Sequence, residues 1–269
     1  MNKLASGAFE TRTIKVAGID VELWRSGAGQ PLVFLHPGDG LEQSIGIVQK
    51  LSTRYDVIAA SHPGFGATGR PAGITTVDDL SYFYLDFFSE LKLREVIVVG
   101  VSFGAWIAAE IATKCTGVLS RLVLADALGV KFADRTTREI ADLFSVPQYE
   151  QARLLYRDGQ KQNFSDWPEE QLLRLARNHQ SFALFGWSPT LHNPKLRQRL
   201  HRIDIPTLVL WGAEDKVVST EYGQLFADAI PGAEFEVLQG AGHYAHIEAA
   251  DGFMAAINRF AESKAEALN

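Results

Sequence analysis

Residues 96–112 read VIVVGVSFGAWIAAEIA, a stretch that sets Ser102 between Gly100 and Gly104. The β-branched run at 96–99 suits a buried strand, and the alanine-rich run from Phe103 onward suits a helix. The chain must therefore turn sharply at Ser102. A residue at the tip of such a turn holds a strained backbone conformation that costs about 1–3 kcal/mol. Side chains at 100 and 104 would collide across the turn, and glycine at both places removes the clash. The turn lifts the Ser102 hydroxyl above the end of the sheet. It also points the Phe103 amide into the same space, at a helix N-terminus that favours negative charge. G-x-S-x-G also arises by chance, and the bland alternative is that both glycines merely let a helix pack closely on a sheet. The rest of the chain has to decide.

Outward from this turn, short apolar runs alternate with helical patterns: PLVFLH (31–36), DVIAAS (56–61), EVIVVG (95–100), RLVLAD (121–126), PTLVLWG (206–212) and EFEVLQ (234–239). Such alternation predicts a mostly parallel sheet covered on both faces. TIKVAGIDVELW (13–24) reads instead as a hairpin turning at Ala17 and Gly18, which would add antiparallel edge strands. Thr76 lies three residues before Asp79 in a capping-box arrangement, and Leu80, Phe83, Phe87, Phe88 and Leu91 follow near one face, so a helix packed on the sheet is expected over 76–91. Between Asp126 and Pro206 the pattern changes to helices without a convincing strand, with helix starts predicted at Thr136 with Glu139 and at Asp166 with Pro168 and Glu169. The predicted organisation is a core of residues 1–127 and 204–269, interrupted by a helical cap, or lid, at 128–203. Phe144, Tyr149, Tyr156, Trp167, Phe182, Phe185 and Trp187 make that insertion too aromatic for a disordered linker.

The 269 residues are 46% hydrophobic and 22% charged, which suits one globular α/β unit with an insertion. A net charge of −6 argues against a nucleic-acid partner, and the one basic cluster, Lys195, Arg197, Arg199 and Arg202, has no interleaved aromatics and reads as a solvated face. Cys115 stands alone, so no intramolecular disulfide can form. The N-terminal stretch lacks the apolar core of a signal peptide, and no run reaches the ~18 apolar residues of a membrane span. A cytoplasmic protein with a small-molecule substrate, no nucleic-acid or membrane partner, and a homodimer left open is the expectation.

A serine hydroxyl is a weak nucleophile until a base takes its proton and a third group orients that base. His243, in QGAGHYAHIE after the last predicted strand, is the favoured base, since Gly240 and Gly242 permit a tight loop; His246 is its near rival. His36 and His62 follow strands and read as structural loop residues. His179, His192 and His201 have no ligand spacing that suggests a metal, so neither metal nor organic cofactor is expected. For the carboxylate, LVLWGAEDKVVS offers Asp215 beside Glu214, with Asp126 as the alternative at the end of 121–126; the order Ser102, Asp215, His243 favours Asp215. An oxyanion needs two donors aimed at one point. The Phe103 amide is one. The other is expected from FLHPGDG, where Pro37 has no N–H, leaving Gly38 first and Asp39 second.

With these residues in hand, the chain resembles the α/β-hydrolase superfamily over nearly its whole length. The matching motifs are HPGDG (36–40), HPGFGATGRP (62–71), GVSFG (100–104), WGAEDKVV (211–218) and GAGHYAHIE (240–248), in that order. The resemblance implies an eight-stranded, mostly parallel sheet with a helical cap after the sixth strand. Serine at the turn sets the chain apart from haloalkane dehalogenases and epoxide hydrolases, which resemble it overall but carry aspartate there. Two departures stand out: Pro37 follows His36 where many relatives have glycine, and Asp39 puts a carboxyl near the oxyanion loop. The expected activity is hydrolysis of a carboxylic ester with a largely apolar or aromatic substrate, through an acyl-enzyme on Ser102. The nearest alternative is a carbon–carbon bond hydrolase of ring-opened aromatic diketo acids, whose sequences this chain also resembles at 199–215 and 242–253. Such substrates carry a carboxylate and would need an arginine, for which Arg138, Arg153, Arg174 and Arg177 are available in the insertion. A slow-turnover ligand receptor on the same scaffold is the alternative from a different class.

Overall fold

The structure, a computed structural model, describes residues 10–134, 136–159 and 164–263. Residues 1–9 and 264–269, assigned from sequence to the core, lie outside the described residues. The strands are β1 (Glu10–Val16), β2 (Ile19–Ser26), β3 (Pro31–Leu35), β4 (Asp56–Ala60), β5 (Val96–Val101), β6 (Leu119–Ala125), β7 (Thr207–Gly212) and β8 (Glu234–Leu238). They form one sheet in the order β1-β2-β4-β3-β5-β6-β7-β8. All neighbours from β4 to β8 run parallel, and β1 and β2 are antiparallel at one edge. The β1–β2 hairpin turns through Ala17 and Gly18, both at positive φ, as a two-residue turn matched to strand twist requires.

The helices are α1 (Ile45–Ser52), α2 (Val77–Glu90), α3 (Phe103–Ala112), α4 (Gln148–Leu155), α5 (Glu169–Gly186), α6 (Thr220–Asp228), α7 (Ala245–Glu248) and α8 (Ala250–Glu262). Side chains alternate along each strand, so Val96 and Val98 join the core beneath α2, α3 and α6, while Ile97, Val99 and Val101 join the one beneath α1 and α8. Burial on both faces is why the parallel strands read as unbroken apolar runs. α2 starts at the predicted capping box, with Thr76 accepting from the Asp79 amide and Asp79 accepting from the Thr76 amide. α3 is buried along all ten residues, which its alanines and lack of charge before Glu110 allow. Among the described residues no helix is long and apolar enough to cross a membrane.

Residues 128–203 contain α4, α5 and a short 3-10 turn at Arg197–Arg202; among the described residues only single bridges, Gly129 to His192 and Ile140 to Val218, tie this segment to strand-like pairing. α5 begins directly after Pro168, as predicted. The helix start predicted at Thr136 is not formed. The Asp134 carboxylate instead accepts from the amides of Thr136 and Thr137, and Glu139 reaches back to the Phe132 amide, so the local side chains close an irregular turn rather than cap a helix.

The glycines of the 96–112 stretch act differently from the expectation that they clear each other. A Cβ on Gly100 would lie 2.5 Å from the Gly104 carbonyl oxygen, but one on Gly104 would lie 2.1 Å from the Leu35 carbonyl oxygen at the end of β3. Gly104 thus lets α3 sit on the neighbouring strand. Gly104→Ala is expected to destabilise the fold by about 3 kcal/mol, because backbone cannot give way as a side chain can. A urea unfolding midpoint unchanged from the parent would contradict this.

Candidate active site

The parallel strands end on one edge, where ligands of open α/β sheets bind, and the loops that leave them carry the predicted residues: Gly38 after β3, Ser102 after β5, Asp126 after β6, Asp215 after β7 and His243 after β8. Ser102 has φ 54 and ψ −112, outside the regions a serine ordinarily occupies. Its amide donates to the Ala125 carbonyl of β6 (2.8 Å), and its carbonyl accepts from Ala105 and Trp106 in the first turn of α3. The strain is thus held from both sides, and the hydroxyl is left at the tip.

Ser102 Oγ lies 2.8 Å from His243 Nε2, and His243 Nδ1 lies 2.8 Å from Asp215 Oδ2. A carboxylate can only accept, so the imidazole carries its proton on Nδ1 and presents Nε2 as acceptor to the serine O–H. The other Asp215 oxygen accepts from the amides of Val217 (2.7 Å) and Val218 (3.0 Å), which fixes the carboxylate plane. Asp126 lies beside this pair without joining it. One of its oxygens accepts from the Gly212 amide (2.7 Å), the other is buried without a partner, and burial together with the nearby Asp215 charge pushes its pKa well above the ordinary carboxylate range. His246 lies apart from the serine, with Nε2 3.1 Å from Ser44 Oγ. Glu214 points outward, toward Arg157.

The loop carrying His243 is clamped. A Cβ on Gly212 would meet the Gly242 carbonyl oxygen at 2.0 Å, and one on Gly242 would meet the Arg157 backbone nitrogen at 2.7 Å. Glu248 accepts from the amides of Gly242 (2.7 Å) and Arg157 (3.0 Å), and the Tyr244 amide donates to the Leu155 carbonyl. Lys216, one residue past Asp215, donates to the Arg157 carbonyl (2.6 Å). The segment at the end of α4 therefore holds both the acid loop and the base loop.

Across from the histidine, the amides of Gly38 and Phe103 donate to no group among the described residues. The Gly38 loop turns through a Gly40 to Pro37 bond (3.1 Å), and buried Asn178 of α5 ties it down, donating to the Asp39 carbonyl (2.9 Å) and accepting from the Gly66 amide (2.8 Å). Beneath it, His36 and His62 stack at 3.6 Å. His36 Nδ1–H donates to the Pro37 carbonyl and its Nε2 accepts from the His62 amide, while His62 Nε2–H donates to the His36 carbonyl and its Nδ1 accepts from the Tyr84 hydroxyl. Every ring nitrogen has a partner suited to a neutral imidazole, so this pair is scaffolding.

Burial holds three histidines uncharged, with His36 lowered to about 4, His246 to about 3 and His62 well below the ordinary value. Unfolded imidazoles titrate near 6.5, so between that pH and the lowered values the unfolded chain binds more protons. Stability contributed by neutral His246 is fully present above pH 6.5 and is lost as pH falls toward 3. His246→Gln is expected to reduce the slope of unfolding free energy against pH, between 6 and 4, by up to about 1.4 kcal/mol per unit. Denaturant titrations at stepped pH read this directly, and parallel slopes for parent and variant would refute it.

The site is closed over. Ser102 is 3% exposed, and rings from α5 and from the segment before α4 pack over its neighbours: Phe182 packs against Phe103 at 5.3 Å and against Phe144 at 5.2 Å, and a Cβ on Gly38 would strike the Phe182 ring at 2.7 Å. A cavity of about 260 Å³ is bordered by Asp39, the neighbour of Gly38, and by Trp167, Leu175 and Arg174. Sequence reasoning brought Ser102, Asp215, His243, Gly38 and Phe103 to one edge; the structure joins Ser102, His243 and Asp215 by hydrogen bonds, with Phe103 next to the serine at the start of α3 and Gly38 on the loop after β3. It missed Asn178, Glu248 and the 155–157 segment. Their roles rest largely on backbone contacts between residues distant in sequence, 139 positions from Asn178 to Asp39 and 91 from Arg157 to Glu248, which leave no local pattern.

An eight-stranded sheet of this order, with a strained serine after β5 bonded to a late histidine and an acid, defines a hydrolase scaffold. The chain belongs to the alpha/beta hydrolase family, whose model matches residues 32–256. It is 27% identical to the 2-hydroxy-6-oxo-2,4-heptadienoate hydrolase of Pseudomonas putida, over 93% of this chain and 95% of that protein. Among solved structures it is similar to a meta-cleavage product hydrolase from Pseudomonas fluorescens (TM-score 0.75, 23% identity, 93% of this chain and 96% of that one). It is likewise similar to an enol-lactonase from Burkholderia xenovorans (TM-score 0.71, 21% identity, 94% and 100%). The two structural likenesses are of fold.

Proposed function

We propose that the protein is a serine hydrolase that cleaves a carboxylic ester of a small, largely apolar or aromatic substrate. The observation that carries this reading is the relay from Asp215 through His243 to Ser102, with the free Gly38 and Phe103 amides beside it. Ser102 Oγ attacks the carbonyl carbon as its proton passes to His243 Nε2. The oxyanion that forms takes hydrogen bonds from the two amides, and Asp215 stabilises the imidazolium. Collapse breaks the ester bond, and the leaving alcohol takes the proton from His243. Water then attacks the acyl-enzyme by the same steps, releasing the acid and restoring the serine. In this reading residues 128–203 act as a lid, and the rings of Phe144, Phe182 and Phe185 support an apolar substrate.

Carbon–carbon bond cleavage of a ring-opened diketo acid is the second reading, favoured by the Pseudomonas putida relative. Against it stands the state of Arg174 on α5. Arg174 is paired with Glu22 (2.8 Å) and Glu42 (2.5 Å), so its charge is already met by two carboxylates, whereas Arg177 donates only to the carbonyls of Gly64 and Thr68. Intact mass after fluorophosphonate treatment, followed by aryl esters and a dienoate assayed side by side, tests both. One adduct and faster ester turnover are expected. Faster dienoate cleavage would move the second reading to first place, and no adduct with neither substrate cleaved would overturn both.

A further inference from the structure

The relay stands on core loops, yet residues 128–203 grip those loops beside the base and the acid. On the base loop, the Tyr244 amide donates to the Leu155 carbonyl (3.0 Å). The Glu248 carboxylate accepts from the Gly242 amide (2.7 Å) and, through both oxygens, from the Arg157 amide (3.1 and 3.0 Å). His243 thus lies between two residues tied to the end of α4, Tyr244 directly and Gly242 through Glu248. Packing is equally close, since a Cβ on Gly242 would lie 2.7 Å from the Arg157 nitrogen, and the Tyr156 ring meets the Tyr244 ring edge-on at 5.4 Å. On the acid loop, Lys216 Nζ donates to the Arg157 carbonyl (2.6 Å), the Ala141 amide donates to the Val217 carbonyl (2.8 Å), and Ile140 bridges to Val218. Val217 and Val218 are the residues whose amides hold Asp215 Oδ1. The two loops are also joined to each other by the Glu214 amide, which donates to the Ala241 carbonyl (2.9 Å), so a shift in one is passed to the other.

We infer that Glu248 is a positioning residue, and that the relay is assembled only while residues 140–141 and 155–157 are docked on the acid and base loops. The inference rests on the serine-hydrolase reading and adds a condition to it: the chemistry is confined to the docked state of the insertion. His243 must keep two 2.8 Å hydrogen bonds at once, and a misplacement of about 1 Å caused far from the chemistry can cost about 10²-fold. Without the Glu248 carboxylate, the Gly242 and Arg157 amides lose their shared acceptor, and the base loop is free to part from the end of α4. Such a displacement has a signature that loss of fold lacks. His243 takes the Ser102 proton whatever the ester, but it must also give that proton to a poor leaving group, whereas 4-nitrophenolate departs without it. A displaced imidazole therefore costs a phenyl ester more than the 4-nitrophenyl ester of the same acid. A smaller folded fraction lowers both alike.

The test compares phenyl and 4-nitrophenyl phenylacetate by kcat/KM, with urea unfolding midpoints taken alongside. Glu248→Ala is expected to lower the value for the phenyl ester by about 10²-fold and for the 4-nitrophenyl ester by about tenfold, with the losses in kcat rather than KM. Glu248→Gln keeps an oxygen that can accept from both amides, so its ratio of the two esters should stay within about threefold of the parent's. Should Glu248→Ala not fold, Lys216→Met carries the test, since it removes one bond of an exposed side chain to the Arg157 carbonyl; a shift of the ratio in the same direction, by about threefold or more, is expected. A ratio that stays at the parent's value in the folded Glu248→Ala protein, or in Lys216→Met where that is the variant measured, overturns the inference, as does a Glu248→Gln ratio no nearer the parent's than that of Glu248→Ala. The parent reports on the serine-hydrolase reading separately. If it takes no fluorophosphonate adduct and cleaves neither ester, that reading fails; if it does both and the variants leave the ratio unmoved, the Glu248 inference alone fails.

Discussion

Ser102→Ala should lower kcat for an activated ester by roughly 10⁵–10⁶ and abolish the fluorophosphonate adduct. The size follows from the way the relay works as a unit. Without Oγ, His243 has no nucleophile to deprotonate, and the Gly38 and Phe103 amides are left to stabilise attack by water alone, which in such sites still gives roughly 10³–10⁴ over the uncatalysed reaction. The substitution should leave the fold intact, because the turn at φ 54 is held by the Ser102 backbone bonds to Ala125, Ala105 and Trp106 rather than by the hydroxyl. Initial rates and intact mass on parent and variant together decide the matter. An adduct that persists in Ser102→Ala would move the nucleophile elsewhere.

The second large effect separates two buried acids. Asp215→Asn should lower kcat by about 10⁴, because the amide would offer N–H or a weaker acceptor to His243 Nδ1, and the imidazole would then present the wrong tautomer to the serine. Asp126→Asn should change kcat by less than about tenfold, since Asp126 lies outside the Ser102–His243–Asp215 chain and accepts from the Gly212 amide, a role the asparagine oxygen keeps. The same contrast predicts the pH profiles. Burial and the Asp215 charge both raise the Asp126 pKa, so Asp215→Asn removes one of the causes, and the Asp126 pKa should fall toward the ordinary range in that variant. Carboxyl infrared difference spectra would follow it. Equal losses from both substitutions would mean that the two acids share the orienting role.

The sequence by itself determined the strand and helix sequence, and with it the edge at which function gathers. Parallel strands buried on both faces must be continuous apolar runs, and the glycines at 100 and 104 mark backbone brought close, Gly100 across the turn and Gly104 against the end of β3. Each loop that leaves such a strand therefore advertised its own chemistry: a serine at the tip, a histidine between glycines, an acid before a helix. Local chemistry failed at Thr136, where the pattern of a capping box was present but Asp134 two residues earlier competed for the same amides. Only the tertiary structure decided between Asp215 and Asp126, because both end neighbouring strands and the choice depends on which oxygen reaches Nδ1. Only it showed that Arg174 of α5 is already paired, that Phe182 lies over Gly38, and that Asp39 has an oxygen with no partner. The physical reason is common to all of these. Periodicity and turn chemistry act over a few residues and are written in order along the chain, whereas hydrogen-bond partners and burial are set by groups brought together from distant positions by packing.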